Sequence, residues 1–266
     1  MSVFILVLIS VNALADFDDP YKVFQTFSSR KITISPAPLR KLSSELSVLV
    51  WNVYKGKLKN QWREEFSRIN REMDLTLIQE AMVDSYVDEV LRSQTHQGWN
   101  FSRSFEMSEG PTGVATGSRA HAEQWETLVS PDLEPILNTP KVSQASWYSI
   151  EGEQTLLVIN SHIINFVRTQ RFKRHIQSII PVIKSHVGPV IWAGDFNTWS
   201  DKRMRYLLRV MSELGFRQVT FDEDERVVAL DHIFVRDCNI VSARIAHDYY
   251  SSDHKPLVAR LKCPGL

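Results

Sequence analysis

The sequence predicts an α/β protein in which helices cover the outer faces of mixed β-sheets. Two patterns lead to that class. Short apolar runs with strand character recur between stretches of helical spacing, which is too much strand for a bundle and too much helix for a sandwich of sheets alone. Four of those runs also stop abruptly at a group able to bind metal or phosphate, and two more begin beside one. Neighbouring strands of a sheet end near one another, so such groups can converge on one crevice.

Taken in order, Val3 to Leu14 is almost entirely apolar, too short to span a bilayer comfortably, and ends in Ala13-Leu14-Ala15. The small-x-small ending predicts a secretory signal peptide over residues 1–15 and a secreted or periplasmic protein. No Lys or Arg precedes the run, which leaves an uncleaved N-terminal membrane anchor or a buried first strand as alternatives. Residues 16–44 carry Pro20, Pro36 and Pro38 with little periodicity and read as a linker or wrapping arm. One domain follows over residues 45–266, with no internal repeat or linker to divide it.

Strands are predicted at Leu46–Trp51, Leu75–Gln79, Val114–Ser118, Thr155–Asn160, Val190–Ala193, Leu230–Val235, Asn239–Ile245 and Pro256–Leu261. Helical stripes run through Trp62, Phe66, Ile69 and Met73, through Phe172, Ile176, Ile179 and Ile183, and through Met204, Leu207, Leu208, Met211 and Leu214. Pro181 should kink or shorten the second of these.

The 31 basic and 31 acidic side chains cancel, which excludes an overall positive field for nonspecific attraction to nucleic acid. Only two cysteines occur, and pairing Ile245 with Pro256 in an antiparallel ladder sets Cys238 opposite Cys263. A cross-strand disulfide is then possible and suits an exported chain, whereas two reduced thiols would suit a cytosolic one.

The residues at the strand ends carry the chemistry. Leu49-Val50-Trp51 stops at Asn52, Leu75–Gln79 at Glu80, Leu157–Ser161 at His162, and Val190–Gly194 at Asp195 with Asn197 beyond. Asp231-His232 and Ser252-Asp253-His254 open two further runs. Singly, each is more often a turn residue, a helix-initiating acid or a satisfied histidine, and Trp51, Trp192 and Trp199 beside them read as packing residues. As a set they meet the needs of phosphate-ester hydrolysis. Glu80 with Asn52 or Asp253 could hold a hard ion such as Mg²⁺, while zinc-type His/Cys spacing is absent. Asp195, or a His254 held by Asp231, could activate water, and His162 and Asn197 could donate hydrogen bonds to phosphate.

The segments Trp51-Asn-Val53, Leu77-Ile-Gln-Glu80, Asn160-Ser-His162, Gly194-Asp-Phe-Asn197, Leu230-Asp231 and Ser252-Asp-His254 together resemble the endonuclease/exonuclease/phosphatase superfamily, pancreatic deoxyribonuclease among its members. The resemblance covers roughly Leu46 to Leu261 and implies a four-layer αββα sandwich of two packed mixed sheets. It also implies Glu80 as main Mg²⁺ ligand, with Mn²⁺ able to substitute, Asn52 assisting, and Asp253 as a second metal contact. Asp195 would orient water beside Asn197, His254 would pair with Asp231 as base or phosphate stabiliser, and His162 would face the phosphate from the other side. Gly113–Arg119 resembles a further family strand, which puts Arg119 at the rim.

The basic cluster from Phe166 to Arg174, with Arg168 nearest the site, could hold substrate phosphates or could be the solvated face of a helix. This cluster and the expected export favour a nuclease acting on DNA or RNA. A sphingomyelin or other phospholipid phosphodiesterase should carry an apolar membrane-entering loop, and the Glu106–Pro111 segment is polar. An inositol-phosphate phosphatase, or a binding subunit without turnover, is the remaining alternative; the latter should lack part of the site.

Overall fold

A computed structural model describes residues 27–152 and 154–263; the expected signal peptide lies outside them. Along the chain run β1 (Lys31–Ser35), β2 (Glu45–Asn52), α1 (Lys59–Asn70), β3 (Leu75–Met82), α2 (Ser85–Ser93), β4 (Gly98–Met107) and β5 (Gly110–Ser118). There follow β6 (Gln124–Val129), β7 (Val142–Ser149), β8 (Thr155–His162), α3 (Thr169–Ser185), β9 (Val190–Asp195) and α4 (Asp201–Glu213). The chain closes with β10 (Arg217–Gln218), β11 (Asp231–Arg236), β12 (Asn239–Ile245) and β13 (Leu257–Lys262).

The strands form two sheets, ordered β1-β4-β5-β3-β2-β13-β12 and β10-β11-β9-β8-β7-β6. Both are mixed, with parallel pairs β2–β3 and β8–β9. Strand alternation assigns the two faces of each sheet. Val48, Val50, Leu75 and Leu77 point inward against Val158, Ile191, Ala193 and Ile233. Leu49, Trp51 and Ile78 point outward, under Trp62 and Phe66 of α1 and Val87 and Leu91 of α2. On the other sheet Leu157, Ile159 and Trp192 meet Phe172, Ile176 and Ile179 of α3 and Leu207 and Met211 of α4. Because both faces are buried, the central strands read as continuous apolar runs. The four layers are those the family resemblance implies.

Several expectations need adjustment. Part of the predicted arm is structured, since β1 pairs with β4 at the sheet edge and Leu39 and Leu42 bridge to Ala120 and Ile150. Pro181 does not shorten α3, which runs unbroken to Ser185. It sits on the exposed face, four residues after the exposed Gln177, whose carbonyl loses its helical N–H donor there. In α4 the buried stripe is Arg203, Tyr206, Leu207, Val210 and Met211, and Leu208 faces outward.

Cys238 and Cys263 are bridged. Ile245 stands opposite Leu257 rather than Pro256, and an irregularity between Ile240 and Ser242 shifts the ladder by one, so that Asn239 still faces Lys262. That bulge brings the cysteines level. Among the described residues no helix is long and apolar enough to cross a membrane.

Candidate active site

Register assembles the first row of the site. In the parallel pair His162 stands opposite Asp195, and in the antiparallel pair on its other side Asp195 stands opposite Asp231. Three polar side chains therefore lie side by side at one end of the second sheet. The facing end of the first sheet ends β2 at Asn52, opposite Gln79 of β3. Glu80 comes next, with φ +51°, where the β3–β5 ladder shifts register between Ile78 and Ala81. A bulge of this kind re-aims a side chain, and the Glu80 carboxylate reaches to 4.0 Å from His162 Nε2.

Gly194, immediately before Asp195, explains the close fit. Its φ is +137°, and a Cβ there would stand 2.0 Å from the Ser161 carbonyl oxygen. Only glycine lets β8 and β9 approach this closely at the site.

Hydrogen bonds fix the residues in place. Asn52 Nδ2 donates to Asp195 Oδ2 at 3.1 Å across the two sheets, while Asn52 Oδ1 accepts from the Tyr54 amide at 3.1 Å. Asp195 Oδ1 accepts from the Asn197 amide at 2.9 Å, and Asn197 Nδ2 donates to the Ile163 carbonyl at 2.8 Å. His162 Nε2 lies 3.5 Å from Asp195 Oδ2. His254 Nδ1 meets Asp231 Oδ2 at 2.7 Å, which leaves Nε2 for the crevice. The His254 backbone is held at both ends, its carbonyl by Trp51 Nε1 at 3.0 Å and its amide by Ser252 Oγ at 3.2 Å.

Charge follows from these neighbours. Burial works against the imidazolium of His254, but Asp231, Asp195 and Asp253 hold its pKa well above the usual value. His162 goes the other way, lowered well below it by burial and by Lys141. Burial and the carboxylate of Asp231 push Asp195 up to about 7. Glu80 is opposed by burial yet brought down to about 2 by Lys141, His162, Lys55 and His254. The crevice thus brings His254, with its pKa raised, close to His162, with its pKa lowered, an arrangement suited to acid–base work.

Asp195, Asp231 and His254 offer ligand atoms within 4.8 Å of one another. Asp231 Oδ1 is buried and without a hydrogen-bond partner, and Asp195 is crowded by a second carboxylate. An orphaned carboxylate oxygen beside a like charge fits a divalent cation, which would offset both costs. Glu80 stands across His162 from this trio, and Asp253 is exposed at the lip, with Ser252 Oγ 3.4 Å from its Oδ1.

One predicted rim residue parts company with the site. Arg119 follows Ser118, which pairs with Leu75 at the opposite end of β3 from Glu80, and it is ion-paired with Asp74 at 3.2 Å. Several strand residues at about 3.3 Å each separate it from the crevice, so it does not line the rim. Arg168 is exposed on the loop that follows His162, directly before α3. Further along the basic cluster, Arg174 and Arg171 are paired with Asp132 at 2.6 and 3.6 Å and Lys173 lies over Tyr206, as on a solvated helix face.

Three residues at or beneath the crevice, Lys55, Lys141 and Glu65, carried no sequence signal. Lys141 lines the crevice with Lys55, Glu80 and His162. Its burial disfavours the charge, but Glu134 at 3.4 Å, Glu80 and Asp195 keep its pKa raised. Glu65 of α1 accepts from the amides of Tyr250 and Ser251 and, at 2.6 Å, from Ser251 Oγ, anchoring the turn that presents Ser252, Asp253 and His254.

The model of the Endonuclease/Exonuclease/phosphatase family matches residues 49–254. A UPF0294 protein of Photorhabdus laumondii is 34% identical over 226 residues, 83% of this chain and 85% of that one. One of Vibrio cholerae is 33% identical over 230 residues, 83% of this chain and 79% of that one. Among solved structures, the 2',3'-cyclic phosphatase ANGEL2 superposes with a TM-score of 0.65 at 12% identity, covering 89% of this chain and 99% of that one. The human Nocturnin catalytic domain gives 0.62 at 18%, covering 83% and 95%. A matched span from β2 to the His254 turn, with its strand-end residues drawn into one crevice, makes the chain a member of the endonuclease/exonuclease/phosphatase family.

Proposed function

We propose that the protein is a Mg²⁺-dependent phosphodiesterase that cleaves DNA or RNA, with Mn²⁺ able to replace Mg²⁺. Members of its family hydrolyse phosphate esters. The observation that carries the reading is the Asp231–His254 pair at 2.7 Å, set beside Asp195 and facing His162 and Glu80 across one crevice. Glu80, Asn52, Asp253 and the unpartnered Asp231 Oδ1 are the oxygen donors that would hold the ion. When bound, it polarises the phosphoryl group and offsets charge building there.

The chain's own residues do the rest. Asp195, held by the amides of Asn52 and Asn197, keeps one carboxylate orientation from which it orients water and takes its proton. His254, kept cationic by Asp231, turns Nε2 toward the phosphate and offsets charge on its oxygens. Lys141 and Lys55 add positive charge on the Glu80 side, where an anionic diester must enter. Water oxygen bonds to phosphorus, the ester P–O bond breaks, and the products are a phosphomonoester and an alcohol. A non-catalytic binding subunit would lack part of this set, and every member is present. The bridged cysteines suit an oxidising compartment and support export.

The test is purified protein with Mg²⁺ or Mn²⁺ on supercoiled plasmid, RNA, sphingomyelin and inositol phosphates in parallel, with Glu80→Ala and His254→Ala as controls. Metal-dependent cleavage of nucleic acid, lost in both variants, is the expected result. Undiminished activity in both variants would refute the site, and turnover confined to sphingomyelin or inositol phosphates would refute the substrate.

A further inference from the structure

Trp51 and Trp192 are buried, as packing residues should be, but Trp199 is 52% exposed. It comes two residues after Asn197, on the loop that joins β9 to α4. Its indole Nε1 donates to Asn165 Oδ1 at 3.0 Å, and the same oxygen accepts from the Phe166 amide at 2.8 Å. Phe166 is itself 49% exposed and has φ +51°, a backbone state that a bulky residue adopts at a cost. One side-chain oxygen thus ties together two aromatic residues that burial would otherwise favour.

The support beneath them is rigid. The Arg203 guanidinium lies 4.7 Å from the Trp199 ring centroid, fully buried and fixed by the carbonyls of Asn197 at 2.9 Å and Val167 at 2.7 Å. The Trp199 ring is backed by a cation and held by its own hydrogen bond, and Phe166 is held through its backbone amide on the same Asn165 oxygen, so two exposed rings are presented at low entropic cost.

We propose that Trp199 and Phe166 form a stacking platform for a base of the strand beside the scissile phosphate, an inference that rests on the nucleic-acid reading above. A base offers a π-face of matching size, and such stacking tolerates any sequence. A membrane contact fits less well. Arg168, Gln170, Asp201 and Lys202 are exposed around the pair, so the rings do not belong to a continuous apolar surface. The indole N–H, already engaged by Asn165, is not offered to a headgroup.

The experiment measures binding of a fluorescein-labelled single-stranded oligonucleotide by anisotropy with Mg²⁺ present. Every protein carries His254→Ala so that the probe survives. Trp199→Ala and Phe166→Gly should each weaken binding about tenfold or more, whereas Trp199→Phe should retain most of it. Phe166→Gly suits the left-handed backbone, and thermal melting checks that each variant is folded. All should bind an abasic version of the oligonucleotide alike. Equal affinities for the intact strand would overturn the platform, as would a loss seen on anionic phospholipid vesicles instead. Cleavage of the same oligonucleotide by protein with His254 intact tests the underlying reading separately. Cleavage with equal affinities removes the platform alone, and neither cleavage nor binding removes both.

Discussion

At the scale of single residues, the site depends on groups that gain their properties from one neighbour each. Asp231→Asn keeps the shape of the pair but removes the charge that holds His254 protonated and fixes its Nδ1. The expected result is a fall in kcat of about a hundredfold or more with a nearly unchanged melting temperature. His175 offers a cleaner case for pH. Its Nδ1 accepts the Ile164 amide at 3.1 Å, and burial brings its pKa from 6.5 down to about 3. The folded state therefore prefers the neutral ring. This contribution to stability is complete above about pH 6.5 and is lost as pH falls toward 3, by about 2 kcal/mol at pH 5. Comparing melting curves of the parent and His175→Asn from pH 7 to 5 checks it: the parent should lose more stability on acidification than the variant.

At the scale of elements, the central strands and three of the helices were legible because their burial follows the two simple periods. Apolar runs ending at Asn52, Glu80, His162 and Asp195 announced themselves because an apolar run has no other reason to stop at such a group. Strand β7 was missed since Ser143, Gln144 and Ser146 are buried polar residues that break its alternation. Glu65 lies in a charged stretch of α1 and Lys141 just ahead of β7, where either looks like an ordinary surface charge. What they face depends on contacts far away in sequence, which no local pattern records. The junction of β8 and β9 makes its own prediction. Gly194→Ala combines a left-handed φ with a Cβ 2.0 Å from backbone oxygen, so something must shift. Chemical denaturation should report a loss of about 2–4 kcal/mol or failure to fold.

At the scale of the whole molecule, the bridge between Cys238 and Cys263 closes a loop with a sequence separation of 25. Its reduction should cost about 3 kcal/mol, read as a lower melting temperature after reductant, and the intact protein should be two mass units lighter than its reduced form. The two ends of the sandwich predict unequal sensitivity. Arg119→Ala, at the end away from the crevice, should leave kcat/KM unchanged within about twofold, whereas Lys141→Ala should lower it about tenfold or more on a charged diester. Equal effects would mean that substrate reaches across both ends.

Between the two sheets lies Asn160, buried, its Oδ1 accepting from Gln79 Nε2 at 2.7 Å and its Nδ2 donating to the Ala115 carbonyl at 2.9 Å. Apolar contacts are non-directional, whereas hydrogen bonds weaken as their length and angle leave a limited range. Asn160 therefore acts as a spacer gauge. It sets the width of the gap between Glu80 on β3 and Asp195 on β9, and so the size of a group that could be held between them.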